Sequence, residues 1–125
     1  LHIKSNLSKF EIKKDMSTRL DQLNEFLKES PEDPFLKYAI AAEYLKQEDE
    51  REAMVRFESL VQTHPDYVGT YYHLGKLYEK LNNPELAINT YRSGMEIARK
   101  SRNFHALGEL QGALSFLTDD DDDDF

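Results

Sequence analysis

Phe35–Pro65 and Gly69–Arg99 are two versions of one pattern. Displaced by 34 residues, Tyr38 falls on Tyr72, Ile40 on Leu74, Ala41 on Gly75 and Tyr44 on Tyr78. Lys46 then falls on Lys80, Ala53 on Ala87 and Phe57 on Tyr91. A fixed period of this length builds stacked units, none of which buries its apolar face alone. This repeat restricts the chain more than any other feature. It predicts helical pairs laid side by side, joined by short polar breaks.

Helix signals agree with that register. Leu20, Leu23 and Leu27, with Phe26 beside them, recur at helical spacing over residues 18–29. That helix stops at Ser30-Pro31, because proline disfavours helical dihedrals in the residue before it. Asp33-Pro34 opens the next with a cap and a proline at the first helical position, and it runs to about Gln47. Glu48-Asp49-Glu50 breaks the chain before a helix from about Glu50 to Gln62, and His64-Pro65-Asp66 turns into one from about Asp66 to Leu81. Asn82-Asn83-Pro84 repeats the cap-plus-proline start, and that helix continues to Ala98 or Lys100. A last helix is expected over about Arg102–Leu117, where Leu107-Gly108 follows Leu74-Gly75 by 33 residues.

The recurring residues, apolar then small, aromatic three later, and alanine followed by an aromatic four later, resemble the tetratricopeptide repeat. The resemblance covers roughly residues 18–117. It implies an all-α, right-handed superhelical stack of antiparallel helix hairpins with five to six helices, of the small two-repeat kind found in bacteria. The organisation is then a capping helix at 18–29, repeats at 34–67 and 68–100, and a C-terminal cap at 102–117, together one domain over 16–117. Residues 1–15 are expected to form a poorly ordered arm or an extension upstream of a start at Met16, and 118–125 a disordered acidic tail. Ile40, Ala41, Tyr44, Ala53, Phe57 and Leu60 of one repeat, and Leu74, Gly75, Tyr78, Ala87, Tyr91 and Gly94 of the other, are expected to pack the core. Gly108 and Gly112 are read as points of close helix approach.

Function in the resembled family resides on the concave face lined by the first helix of each pair. Here that face reads Tyr38, Ala42, Leu45 and Lys46, then Tyr72, Lys76, Glu79 and Lys80, with Arg102, His105 and Glu109 from the last helix. Spacings of four and eight place each set along one helical strip. The expectation is a peptide groove with two tyrosines, three lysines and an arginine. Tyrosine suits such a surface, offering apolar area with a hydrogen-bonding tip. A subset of the family grips chaperone C-termini through a lysine–asparagine clamp. Tyr38, Ala42 and His73 occupy the clamp positions, so that activity is not implied.

Charge and composition exclude other classes. The net charge is −8, with +2 on residues 1–15, −4 on 16–118 and −6 on the aspartates at 119–124. This balance opposes nucleic-acid binding, which needs clustered Lys and Arg. No apolar run reaches the roughly 18–20 residues that span a bilayer, and the absence of cysteine fits a reducing cytoplasm. His2, His64, His73 and His105 show no zinc spacing. Gly69–Lys76 lacks the spacing and hydroxyl of a phosphate loop. No cofactor, metal or catalytic residue is expected. The reading is a non-catalytic adaptor for a protein or peptide. The alternative is a self-associating module, a homodimer through helix faces or with the acidic tail in its own groove.

Overall fold

The computed structural model describes residues 18–118. The expectations for the arm at 1–15, for Met16 and for the aspartates at 119–124 lie outside the described residues. Within them are six helices: α1 (Arg19–Glu29), α2 (Pro34–Lys46), α3 (Glu50–Thr63), α4 (Gly69–Lys80), α5 (Pro84–Ser101) and α6 (Phe104–Leu117). Each packs on the next in the chain, and α4 also reaches α6.

Side-chain caps set most of the starts. The Thr18 hydroxyl accepts the Asp21 amide at 3.1 Å while the Asp21 carboxylate accepts the Thr18 amide at 3.4 Å, a reciprocal capping box. Asp33, Asp49, Asn83 and Asn103 cap α2, α3, α5 and α6 in the same sense. Three of the connections share one geometry. Glu48, Asn82 and Arg102 take positive φ values of 64°, 60° and 59°, each just before the capping residue. This left-handed step reverses the chain in two or three residues.

The third of these turns corrects the sequence reading of Arg102. It stands as the left-handed C-cap of α5, at φ 59° and ψ 33°, and is not part of α6. The reason is the length of α5, 18 residues against 14 for α3. The extra turn of helix uses up the junction that His64–Val68 provides between the repeats. α4 also departs from the reading, beginning at Gly69 and not at Asp66. Pro65 and Asp66 form a turn, and Val68 precedes the helix with no side-chain cap.

The core runs through both repeats. Ile40, Ala41, Ala53, Phe57, Ala87 and Tyr91 are fully buried, with Leu60, Leu74 and Tyr78 close behind. Tyr44 is half-buried, with Arg56 stacked on its ring 5.1 Å from the centroid. On α1 only Leu23 is buried, and Phe26 stays 56% exposed. The two glycines of the repeat core are required by space. A Cβ on Gly75 would lie 2.2 Å from Tyr91 Cε1, and one on Gly94 would lie 2.5 Å from Tyr71 Cβ. Those two notches let α5 lie flush on α4. The phenol of Tyr91 then donates to Glu79, and that of Tyr78 donates to Glu58.

Gly108 and Gly112 are different. Both are exposed, and a Cβ on either would meet nothing within 4 Å. The expected close approach is overturned. The face of α6 that corresponds to the Gly75 face of α4 has no helix against it among the described residues.

Candidate functional site

Three first helices converge on one cleft of about 290 Å³. α2 supplies Tyr38, α4 supplies Gly69, Tyr72 and His73, and α6 supplies Ala106, Glu109 and Leu110, with Val68 at the rim. A second hollow continues past Tyr38 and Gly69 to Asp66 and Tyr67. Gly69 lies against Tyr38: a Cβ there would sit 3.4 Å from the Tyr38 ring, in contact with it.

The aromatic rings form a continuous wall. Tyr38 lies 5.5 Å from Tyr67, 5.7 Å from His73 and 6.0 Å from Phe57, measured between centroids. His73 stacks on Phe57 at an interplanar angle of 10° and meets Tyr72 edge-on. Such tilted and edge contacts suit the ring quadrupoles. Burial pushes the His73 pKa down, against an opposing pull from Glu109, so the ring is neutral at pH 7. Burial also pushes the Tyr38 phenol up, with Tyr67 and Glu109 adding to the effect. The wall therefore presents neutral rings with hydroxyl tips.

Of the residues expected on this face, Tyr38, Tyr72 and Glu109 line the cleft together. Ala42 and Leu45 are half-buried against the core instead. Lys46 is exposed at the end of α2. The Lys76 ammonium lies 5.6 Å from the Tyr72 ring centroid and 3.8 Å from Glu79. Glu79 also accepts the Tyr91 phenol, so it ties α4 to α5. Lys80 reaches across to Glu50, which raises its pKa. His105 is 86% exposed and 3.7 Å from Glu109. Arg102 lies in the turn before α6. The sequence reading missed Tyr67 and Gly69. Tyr67 falls in the inter-repeat turn, outside the 34-residue pairing, and Gly69 opens the second unit without a counterpart of its own type.

The tetratricopeptide repeat sequence profile matches residues 44–114, more than half of the chain. The chain belongs to the tetratricopeptide repeat family. A tetratricopeptide repeat domain protein from Salinibacter ruber is 52% identical in both its crystal and its solution structure, each with a TM-score of 0.67. The crystal structure match covers 68% of this chain and 94% of that one; the solution structure match covers 70% and 89%. A Bordetella parapertussis protein is 21% identical, with a TM-score of 0.72 over 85% of this chain and 92% of that one, and shares the fold. No curated protein matches the chain. Repeats of this family make extended surfaces that bind other proteins, which sets the general function as protein interaction. No described helix is long and apolar enough to cross a membrane.

Proposed function

We propose that the protein is a non-catalytic adaptor that holds a segment of a protein partner in the cleft where α2, α4 and α6 meet. The observation that carries this reading is the wall of Tyr38, Tyr67, Tyr72 and His73 around an open hollow, built by three separate helices. Rigid aromatic side chains give contact area at low entropic cost, and their tips offer hydrogen bonds to a peptide backbone. Lys46 and Lys76 extend the surface along α2 and α4, with Ala42 and Leu45 packed beneath it. His105 and Arg102 flank it at the start of α6. The setting proposed is the cytoplasm.

Affinity capture tests the reading. Wild type is compared with Tyr38→Ala/Tyr72→Ala and with Arg92→Ala on the exposed face of α5. A partner lost only from the double variant, with its helical circular dichroism intact, supports the cleft. Loss from Arg92→Ala alone contradicts it.

The open face of α6 favours a second reading, self-association. Phe104, Gly108, Gly112 and Phe116 recur every four residues, and the two phenylalanines are 64% and 78% exposed. The order is the same from either end, so an antiparallel copy sets like against like, as a two-fold interface requires. Mass by light scattering across a concentration series separates the readings. A dimer that Phe116→Glu dissociates supports association, and a monomer throughout refutes it.

A further inference from the structure

The lysines of the sequence predict a groove suited to an acidic ligand, yet the cleft carries the opposite sign. None of Lys46, Lys76, Lys80 and Arg102 lines it, and Lys80 is committed to Glu50. Among the described residues, Glu109 is the one carboxylate that lines the cleft, with no lysine or arginine. Among the described residues Glu109 has no lysine or arginine partner, and its ionic neighbour is His105 at 3.7 Å. Asp66 lines the adjoining hollow, and Asp33 lies near enough to Tyr67 to help raise its phenol. His73 adds no positive charge at neutral pH.

An anionic side chain entering here would meet Glu109 and Asp66, while the cation at the edge, Lys76, is already 3.8 Å from Glu79. The six aspartates at 119–124 would meet the same repulsion. A cation would gain on both counts, since tyrosine faces attract positive charge and a half-exposed carboxylate pairs with it without heavy desolvation. The cleft already shows one such contact at its edge, where the Lys76 ammonium sits over Tyr72. At about 290 Å³ the hollow is at the lower bound of small-molecule sites, which run from roughly 300 to 1,000 Å³, so it suits one or two side chains and not a cofactor.

We propose that this cleft is a binding site for a cationic side chain, lysine or arginine, of the partner peptide, with the charged group on Glu109 and the stem against the Tyr38 and Tyr72 rings. The assignment rests on the adaptor reading and adds to it the chemistry of the ligand.

Amide NMR titration of the full chain tests it with the capped tripeptides acetyl-Gly-X-Gly-amide, where X is Lys, Arg, Leu or Glu. The Lys and Arg peptides should move the amides of Tyr38, Tyr72, His73 and Glu109 along saturating curves. Added salt should weaken them, and Glu109→Gln, at an exposed position, should weaken them about five- to tenfold. Binding of the Lys peptide that is no tighter than that of the Leu peptide and unchanged in Glu109→Gln, or tighter binding of the Glu peptide, overturns the cation assignment while the cleft remains a peptide site. Lys-peptide shifts scattered over the acidic surface without saturation overturn it as well. Shifts from every peptide confined to α3 and α5 remove the adaptor reading too.

Discussion

Gly75 and Gly108 occupy equivalent places in α4 and α6, 33 residues apart, and the molecule uses them in opposite ways. On α4 the glycine is a notch, filled by the Tyr91 ring of α5 at a distance no Cβ could share. On α6 the glycine faces open space. The same contrast separates two histidines, one on α4 and one on α6. His73 is stacked between rings, while His105 is 86% exposed. A repeat therefore encodes a position within its unit. Whether that position is core or surface is decided by the next helix.

The largest test of this contrast is Gly75→Leu. With Tyr91 fully buried and bonded to Glu79, the ring has nowhere to go. We expect a loss of about 3 kcal/mol or more, read as a fall in Tm of roughly 10 °C or more. A Tm within a few degrees of wild type would mean that α5 does not seat on Gly75. Next is Tyr91→Phe, which keeps the ring and removes the hydroxyl that Glu79 accepts. Its expected cost is about 1.5–3 kcal/mol by urea denaturation, the range for hydrogen bonds to charged groups.

Gly108→Ala and Gly112→Ala should act in the other direction. Each relieves the helix penalty of glycine at a position with room for a methyl group, gaining about 0.5–1 kcal/mol. A loss instead, growing with protein concentration, would show the α6 face buried against a second copy. The smallest effect is in pH. Burial holds the His73 pKa below its ordinary value of 6.5, so the unfolded chain takes up the proton first. Its contribution is therefore neutral above that value and increasingly destabilising as pH falls through it. Chemical denaturation should show wild type losing more stability than His73→Phe between pH 7.5 and 5.5. Parallel curves would place His73 in water.

The helices were legible because several local signals coincide. Asp33-Pro34 and Asn83-Pro84 mark helix starts by cap and fixed φ, and the 34-residue pairing picks out Ile40, Ala41, Phe57 and Tyr91 as core. Junction geometry was less legible. The extra turn of α5, which removes Arg102 from α6, depends on how α5 packs and not on any residue at the break. The face holding Tyr38, Tyr72 and Glu109 could be read because the family resemblance marks the first helix of each pair and helical periodicity sets the strip along it. Its charge could not, because Lys80 turns toward Glu50 and Glu79 toward Tyr91 through contacts with the neighbouring helices that the repeat pattern does not specify.

The central claim is that the working surface is the face shared by α2, α4 and α6. A photo-crosslinking amino acid placed at Tyr72, and separately at Arg92 on α5, tests it most directly in cells. The account predicts a discrete partner adduct from position 72 that is absent from position 92. An adduct from position 92 with none from position 72 would contradict it.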